Sequence, residues 1–186
     1  GLLSLMPKKS KIINISGTIF AIAYQGAAGD GFLKTIDITA SGLIADAVID
    51  TLEFDTSDGA TPKIINVSGS VYAIAYRGGA SDGFIKTVTI ASNGQITDTV
   101  IDTLEYDTSD GFEPDIIHIS GDVFAVAYRG VADDGFLKTV TIAANGQITD
   151  TVIDTLEFDT SNCFDPDIIQ VSGSVYAIAY RGPNSD

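Results

Sequence analysis

Apolar and polar residues alternate with a period of two along most of the chain, in short runs broken by Gly, Ser, Asn and Asp clusters. That is the pattern of strands joined by tight turns, whereas helices would need apolar residues at i, i+3, i+4 and i+7. Residues 63–114 contain four such runs. Lys63 to Val67 is closed by Ser68-Gly69. In the second run, Val71 to Arg77, Tyr72, Ile74 and Tyr76 alternate with Val71, Ala73 and Ala75. Both of its faces are apolar, which predicts a central strand covered on both sides. The third run, Phe84 to Ala91, ends in Ser92-Asn93-Gly94, a hairpin signal. The fourth, Ile96 to Tyr106, mixes Asp98, Asp102 and three threonines with Val100, Ile101 and Leu104, as a partly exposed outer strand would.

The pattern repeats without insertion. Gly17, Gly69, Gly121 and Gly173 lie 52 residues apart, and the same offset carries Lys34 to Lys86 to Lys138, Glu53 to Glu105 to Glu157 and Pro62 to Pro114 to Pro166. Between the second and third units roughly three-quarters of positions are identical, the regularity of a repeat array. The units are 11–62, 63–114, 115–166 and 167–186, after an N-terminal extension at 1–10. The last holds only two strands, which predicts three and a half units and a fragment of a longer repeat protein.

The signature is Ile-Ser-Gly-Asp-Val-Phe-Ala-Val-Ala-Tyr-Arg-Gly (119–130) followed by Asp-Gly-Phe-Leu-Lys-Thr-Val-Thr-Ile (134–142). It resembles β-propeller repeat proteins, and tandem prokaryotic surface propellers in particular. The Trp-Asp of WD40 blades, the Gly-Gly of kelch blades and the spaced aspartates of integrin-type loops are absent from the sequence. The resemblance, with four short strands per unit, implies an all-β propeller arc of about 3.5 four-stranded antiparallel blades. An arc leaves an unpaired edge and open apolar faces. Two copies packed head to tail would cover them, so a homodimeric ring of six full blades and two half-blades is expected.

Composition narrows the partners. The net charge is −15, with a sequence pI near 4.1, which disfavours nucleic acid and anionic lipid. The opening Gly1-Leu2-Leu3-Ser4-Leu5-Met6 is too short to span a membrane, and Lys8 and Lys9 follow it instead of preceding it as in a signal peptide. No membrane insertion is expected. The single cysteine, Cys163, rules out an internal disulfide framework, and the likeness to surface propellers suggests an extracellular or cell-surface setting.

Candidate chemistry sits on the longer loops, 78–83 and 107–114 and their equivalents, opposite the tight turns. Asp58, Asp82, Asp110 and Asp134 crowd that face, with Arg77, Arg129 and Arg181 where the second strand leaves the sheet. These seven form the candidate ligand-binding set. The arginines, with Lys34, Lys86 and Lys138, offer either a ring of cations for an acidic group or structural ion pairs with Glu53, Glu105, Glu157 or nearby aspartates. The aspartates suggest calcium, but Asp-Thr-Ser-Asp-Gly lacks the alternating ligands and distal glutamate of a dedicated loop, so no cofactor is expected. His118 replaces Asn14 and Asn66, and no second histidine accompanies it. No serine lies in a Gly-x-Ser-x-Gly elbow.

Catalysis needs distinct groups in distinct roles, whereas these units repeat the same residues. The expectation is a non-catalytic scaffold for adhesion or surface recognition, with a protein or carbohydrate ligand. The alternatives are part of a lactonase, lyase or glycosidase propeller whose catalytic residues lie in other blades, or a rigid spacer.

Overall fold

The computed structural model describes residues 10–183. The predicted extension at 1–10, Ser10 apart, and the last three residues of the predicted half-unit lie outside that range.

Apart from two single 3-10 turns, Gly79–Ser81 and Val131–Asp133, the regular secondary structure of the described residues is strand. The first sheet is β1 (Lys11–Ser16), β2 (Ile19–Gln25), β3 (Gly31–Asp37) and β4 (Asp50–Asp55). The second is β5 (Ala60–Ser68), β6 (Val71–Arg77), β7 (Gly83–Thr89) and β8 (Asp102–Asp107). The third is β9 (Phe112–Ser120), β10 (Val123–Arg129), β11 (Gly135–Thr141) and β12 (Asp154–Asp159), and β13 (Phe164–Ser172) with β14 (Val175–Arg181) make a two-stranded fourth. Each is an antiparallel meander in chain order, so the all-β tandem of four-stranded sheets expected from the sequence is present. A closed ring is not seen. No helix among the described residues is long and apolar enough to cross a membrane.

The first hairpin of each unit turns on glycine. Gly17, Gly69, Gly121 and Gly173 all have φ between +53° and +56°, a left-handed conformation that costs glycine little. The residue three positions earlier caps each turn. Asn14 Nδ2 and Asn66 Nδ2 each donate to the turn glycine carbonyl at 3.0 Å, Gln170 Nε2 does so at 2.8 Å, and His118 Nε2 lies 2.9 Å from the carbonyl of Gly121. The histidine thus keeps the job of the asparagine it replaces.

Two strand starts differ from expectation by more than two residues. β5 begins at Ala60, three residues before the predicted run, because a bulge at Thr61-Pro62 keeps Ala60 opposite Arg77. The fourth strand begins at Asp102, not Ile96. After the Ser92-Asn93-Gly94 turn only Ile90 and Ile96 pair, and the Ile96 N–H is taken by Asp50 Oδ2 of the first sheet at 2.8 Å. Ile96 and Val100 pack against the neighbouring sheet, and their alternation belongs to that contact.

Packing between sheets follows from the two faces of the second strand. Tyr72, Ile74 and Tyr76 of β6 lie against Ala21, Ala23, Leu33, Leu52 and Phe54 of the first sheet. Its opposite face, Ala73 and Ala75 with Ile85, Leu104 and Tyr106, receives Phe124, Val126 and Tyr128 of the third. Each sheet therefore has a bulky face and a shallow one, and the bulky face of one fills the shallow face of the sheet before it. Burying Ile74 alone, fully enclosed, contributes about 1.5–3 kcal/mol. β1 neighbours β5, β5 neighbours β9 and β9 neighbours β13, so the first strands line a common interior.

Candidate functional site: the axial cavity and the long-loop end

Three polar contacts recur between consecutive sheets and tie a repeated lysine and tyrosine of one sheet to a repeated aspartate of the sheet before it. Asp55, the last residue of β4, accepts from Tyr76 Oη at 2.7 Å and Lys86 Nζ at 2.9 Å, both on the second sheet, and Lys86 also donates to the Phe54 carbonyl at 2.7 Å. Asp107 repeats this with Tyr128 Oη at 2.6 Å and Lys138 Nζ at 2.7 Å. Each carboxylate also accepts backbone N–H groups of its own loop, Ser57 and Asp58 or Ser109 and Asp110. Burial alone would raise these two carboxyls, but the hydrogen bonds, from Tyr76 and Lys86 or from Lys138 and Tyr128, outweigh it and hold both below the usual range. Burial and the adjacent aspartate push Tyr76 and Tyr128 well up. The lysines therefore pair with the terminal aspartate of the preceding sheet, and not with Glu53, Glu105 or Glu157.

The arginines take a second arrangement. Arg77 donates to Asp58 at 2.8 Å, and Gln25 donates to the other oxygen of Asp58 at 2.9 Å. Arg129 instead bonds Glu113 at 3.4 Å and its own neighbour Asp133. Phe112 and Phe164, first residues of β9 and β13, lie between them. Arg77 and Arg129 flank Phe112 at 5.3 and 4.4 Å, and Arg129 and Arg181 flank Phe164 at 5.1 and 4.3 Å. The result is a ladder of cation–π contacts crossing three sheets.

Of the other predicted site residues, Asp82 and Asp134 each close the loop between second and third strands through backbone bonds with Gly78 and Gly130. The Asp82 carboxyl meets Glu105, which desolvation and that hydrogen bond raise above the ordinary glutamate value. Asp110 stays in its turn beside Asp107. The structure thus brings Asp58 to Arg77, whereas among the described residues no ion pair joins Asp82, Asp110 or Asp134 to an arginine. Cys163 is buried, and desolvation first, then Asp159 and Glu113, push its thiol up to about 11. Among the described residues, no three His, Cys, Asp or Glu side chains gather as metal ligands would.

Sequence reasoning missed the interior. A cavity of about 370 Å³ is lined by all four first strands, including Lys11, Lys63, Asp115 and Asp167. These four stand at one position of the repeat, 52 residues apart, three residues beyond the start of the Phe112 and Phe164 strands. Lys63 Nζ lies 3.1 Å from Asp115 and 4.0 Å from Asp167, and the Asp115 carboxylate also accepts the Ile168 N–H at 3.0 Å. Isoleucines, Ile13 and Ile65 among them, form the rest of the wall. Aligning the units on their glycines puts two lysines and two aspartates in one column, a signal that was available without coordinates.

The structure is an all-β tandem of four-stranded antiparallel sheets with a charged cavity between their first strands. No protein-family model matches the chain, and no curated protein matches it.

Proposed function

We propose that the chain is a non-catalytic interaction module of the β-propeller kind, its sheets serving as blades, and that a protein or carbohydrate ligand engages it at the axial cavity. The observation that carries this reading is the column Lys11, Lys63, Asp115 and Asp167. The repeated lysines Lys86 and Lys138 serve sheet-to-sheet contacts, whereas in this column the charge changes sign while the architecture stays constant. Such divergence suits selection for something other than packing.

The perturbed groups support the same reading. Asp55 and Asp107 are lowered and Cys163 is raised, so none of these three is poised for proton transfer near neutral pH. The test is a binding screen on glycan and peptide arrays, followed by calorimetry. Asp167, whose side chain is 63% exposed, can be changed to Asn without disturbing the core. A ligand bound by the wild type and lost or weakened in Asp167→Asn, at unchanged stability, is the expected result. Equal binding by the variant would move the site elsewhere, and no ligand at all would favour a spacer. The two-copy ring belongs to the same proposal, and light scattering should give a mass near twice 19.4 kDa if it forms.

A further inference from the structure

At the tight-turn end, the cleft between the first and second sheets carries hydroxyls that its counterpart between the second and third sheets has lost. The cleft has a volume of about 390 Å³, and its walls include Ile15 and Ser16 of the first unit and Ser70, Tyr72, Ile90 and Ser92 of the second. None of its lining residues is charged. Three separate turns supply the serines. Ser16 ends β1, Ser70 stands in the turn ahead of β6, and Ser92 opens the Asn-Gly hairpin. Backbone and cap bonds hold these turns in place: Asn66 Nδ2 donates to the Gly69 and Val71 carbonyls at 3.0 and 3.2 Å, and the Ile90 N–H donates to the Ser70 carbonyl at 2.9 Å. Tyr72, only 3% exposed, makes the floor. All three serines are exposed, and among the described residues no protein group bonds their hydroxyls. Fifty-two residues on, Ser68 matches Ser16, but Asp122, Phe124 and Ala144 stand for Ser70, Tyr72 and Ser92. The backbone bond still repeats there, from the Ile142 N–H to the Asp122 carbonyl at 2.8 Å, so the two clefts differ in side chains and not in frame.

We infer that the cleft between the first and second sheets binds one neutral pyranose residue. Its volume falls within the range of about 300–1,000 Å³ usual for small-ligand sites. Each serine hydroxyl can both donate and accept, as the hydroxyls of a sugar do, while Ile15, Ile90 and Tyr72 offer apolar surface to the ring C–H groups. An ionic ligand would shed its water with no opposite charge in the walls to replace it. A wholly apolar ligand would strip water from the hydroxyls without bonding them. A neutral, hydroxylated ring with apolar faces avoids both costs. This inference does not rest on the axial-cavity reading, because the cleft shares no lining residue with that cavity.

The probes are the methyl glycosides of glucose, galactose and mannose, with methyl glucuronide as the charged control, titrated into the whole chain by calorimetry and saturation-transfer NMR. At least one neutral glycoside should bind saturably, and the glucuronide should bind about tenfold more weakly or worse. The double variant Tyr72→Phe with Ser92→Ala carries what the third unit already has at these positions, so it should fold as the wild type does. Each lost hydroxyl should weaken binding about two- to tenfold, the scale of one net hydrogen bond. The inference is overturned if none of the neutral glycosides saturates, if the double variant binds undiminished, or if the glucuronide binds as tightly as the neutral sugars. Asp167→Asn should leave glycoside binding unchanged. Loss of binding in that variant would assign the sugar to the axial cavity, overturning this site while supporting the other.

Discussion

Replacing Asp107 by asparagine tests whether the repeated aspartate locks one sheet to the next. The carboxylate receives Tyr128 Oη, Lys138 Nζ and the N–H groups of Ser109 and Asp110. Both members of the ion pair are largely buried, with side chains 15% and 17% exposed. Asparagine keeps one oxygen for the loop N–H groups but turns its NH₂ toward the tyrosine hydroxyl and the ammonium. Lys138 retains only the Tyr106 carbonyl, at 2.8 Å. One charge-assisted bond, about 1.5–3 kcal/mol, is lost, and an ammonium is left short of a partner. Removing one member of a fully buried pair costs about 3–5 kcal/mol, so an intermediate loss of about 2–3 kcal/mol is expected at this partly open site.

For a chain of this length each kcal/mol moves Tm by about 2–4 °C, giving a fall of about 4–12 °C by circular dichroism. The pH dependence adds a second readout. Asp107 has a depressed pKa in the folded state, so its contribution is present above the unfolded value, about 3.9, and is lost as pH falls through the folded one. Asp107→Asn should therefore show a shallower acid limb than the wild type below about pH 4. A change under about 0.5 kcal/mol at pH 7, or an unchanged acid limb, would refute the locking role, since that is the size of an ordinary surface substitution.

Further outcomes follow from single contacts. Thr87→Val, which orphans the buried Gly146 carbonyl, should cost about 1–3 kcal/mol in urea unfolding. Tyr106 Oη is buried without a hydrogen-bond partner, and its equivalents are Phe54 and Phe158, so Tyr106→Phe should raise stability by about 1 kcal/mol. His118→Asn restores the cap used at Asn14 and Asn66 and should change stability by less than about 0.5 kcal/mol. Cys163 should resist thiol reagents at pH 7.5 and react only on unfolding, because it is both buried and poorly ionised.

Much of the fold was legible in the sequence because the repeat made each local signal count four times. The two-sided apolar run Val71–Arg77 is a central strand, buried at Val71 through Tyr76, and the Ser-Gly turns are hairpins. Alternation misled at Ile96–Ile101, where period two arises from docking on another sheet and not from ladder pairing. The partners of the lysines stay open in the sequence, between glutamates and nearby aspartates, for a related reason. Lys86 is 31 residues from Asp55, and only the stacking of one sheet on the next joins them. The axial column was present in the sequence at Lys11, Lys63, Asp115 and Asp167, yet its meaning depended on knowing that first strands face a shared interior.

Zero-length carbodiimide cross-linking tests that stacking most directly, because it joins only amines and carboxylates already in contact. The account predicts bonds from Lys63 to Asp115 or Asp167, from Lys86 to Asp55 and from Lys138 to Asp107, identified by peptide mass spectrometry. Links confined to single units, such as Lys86 to Glu105 or Lys138 to Glu157, with none between units, would contradict it.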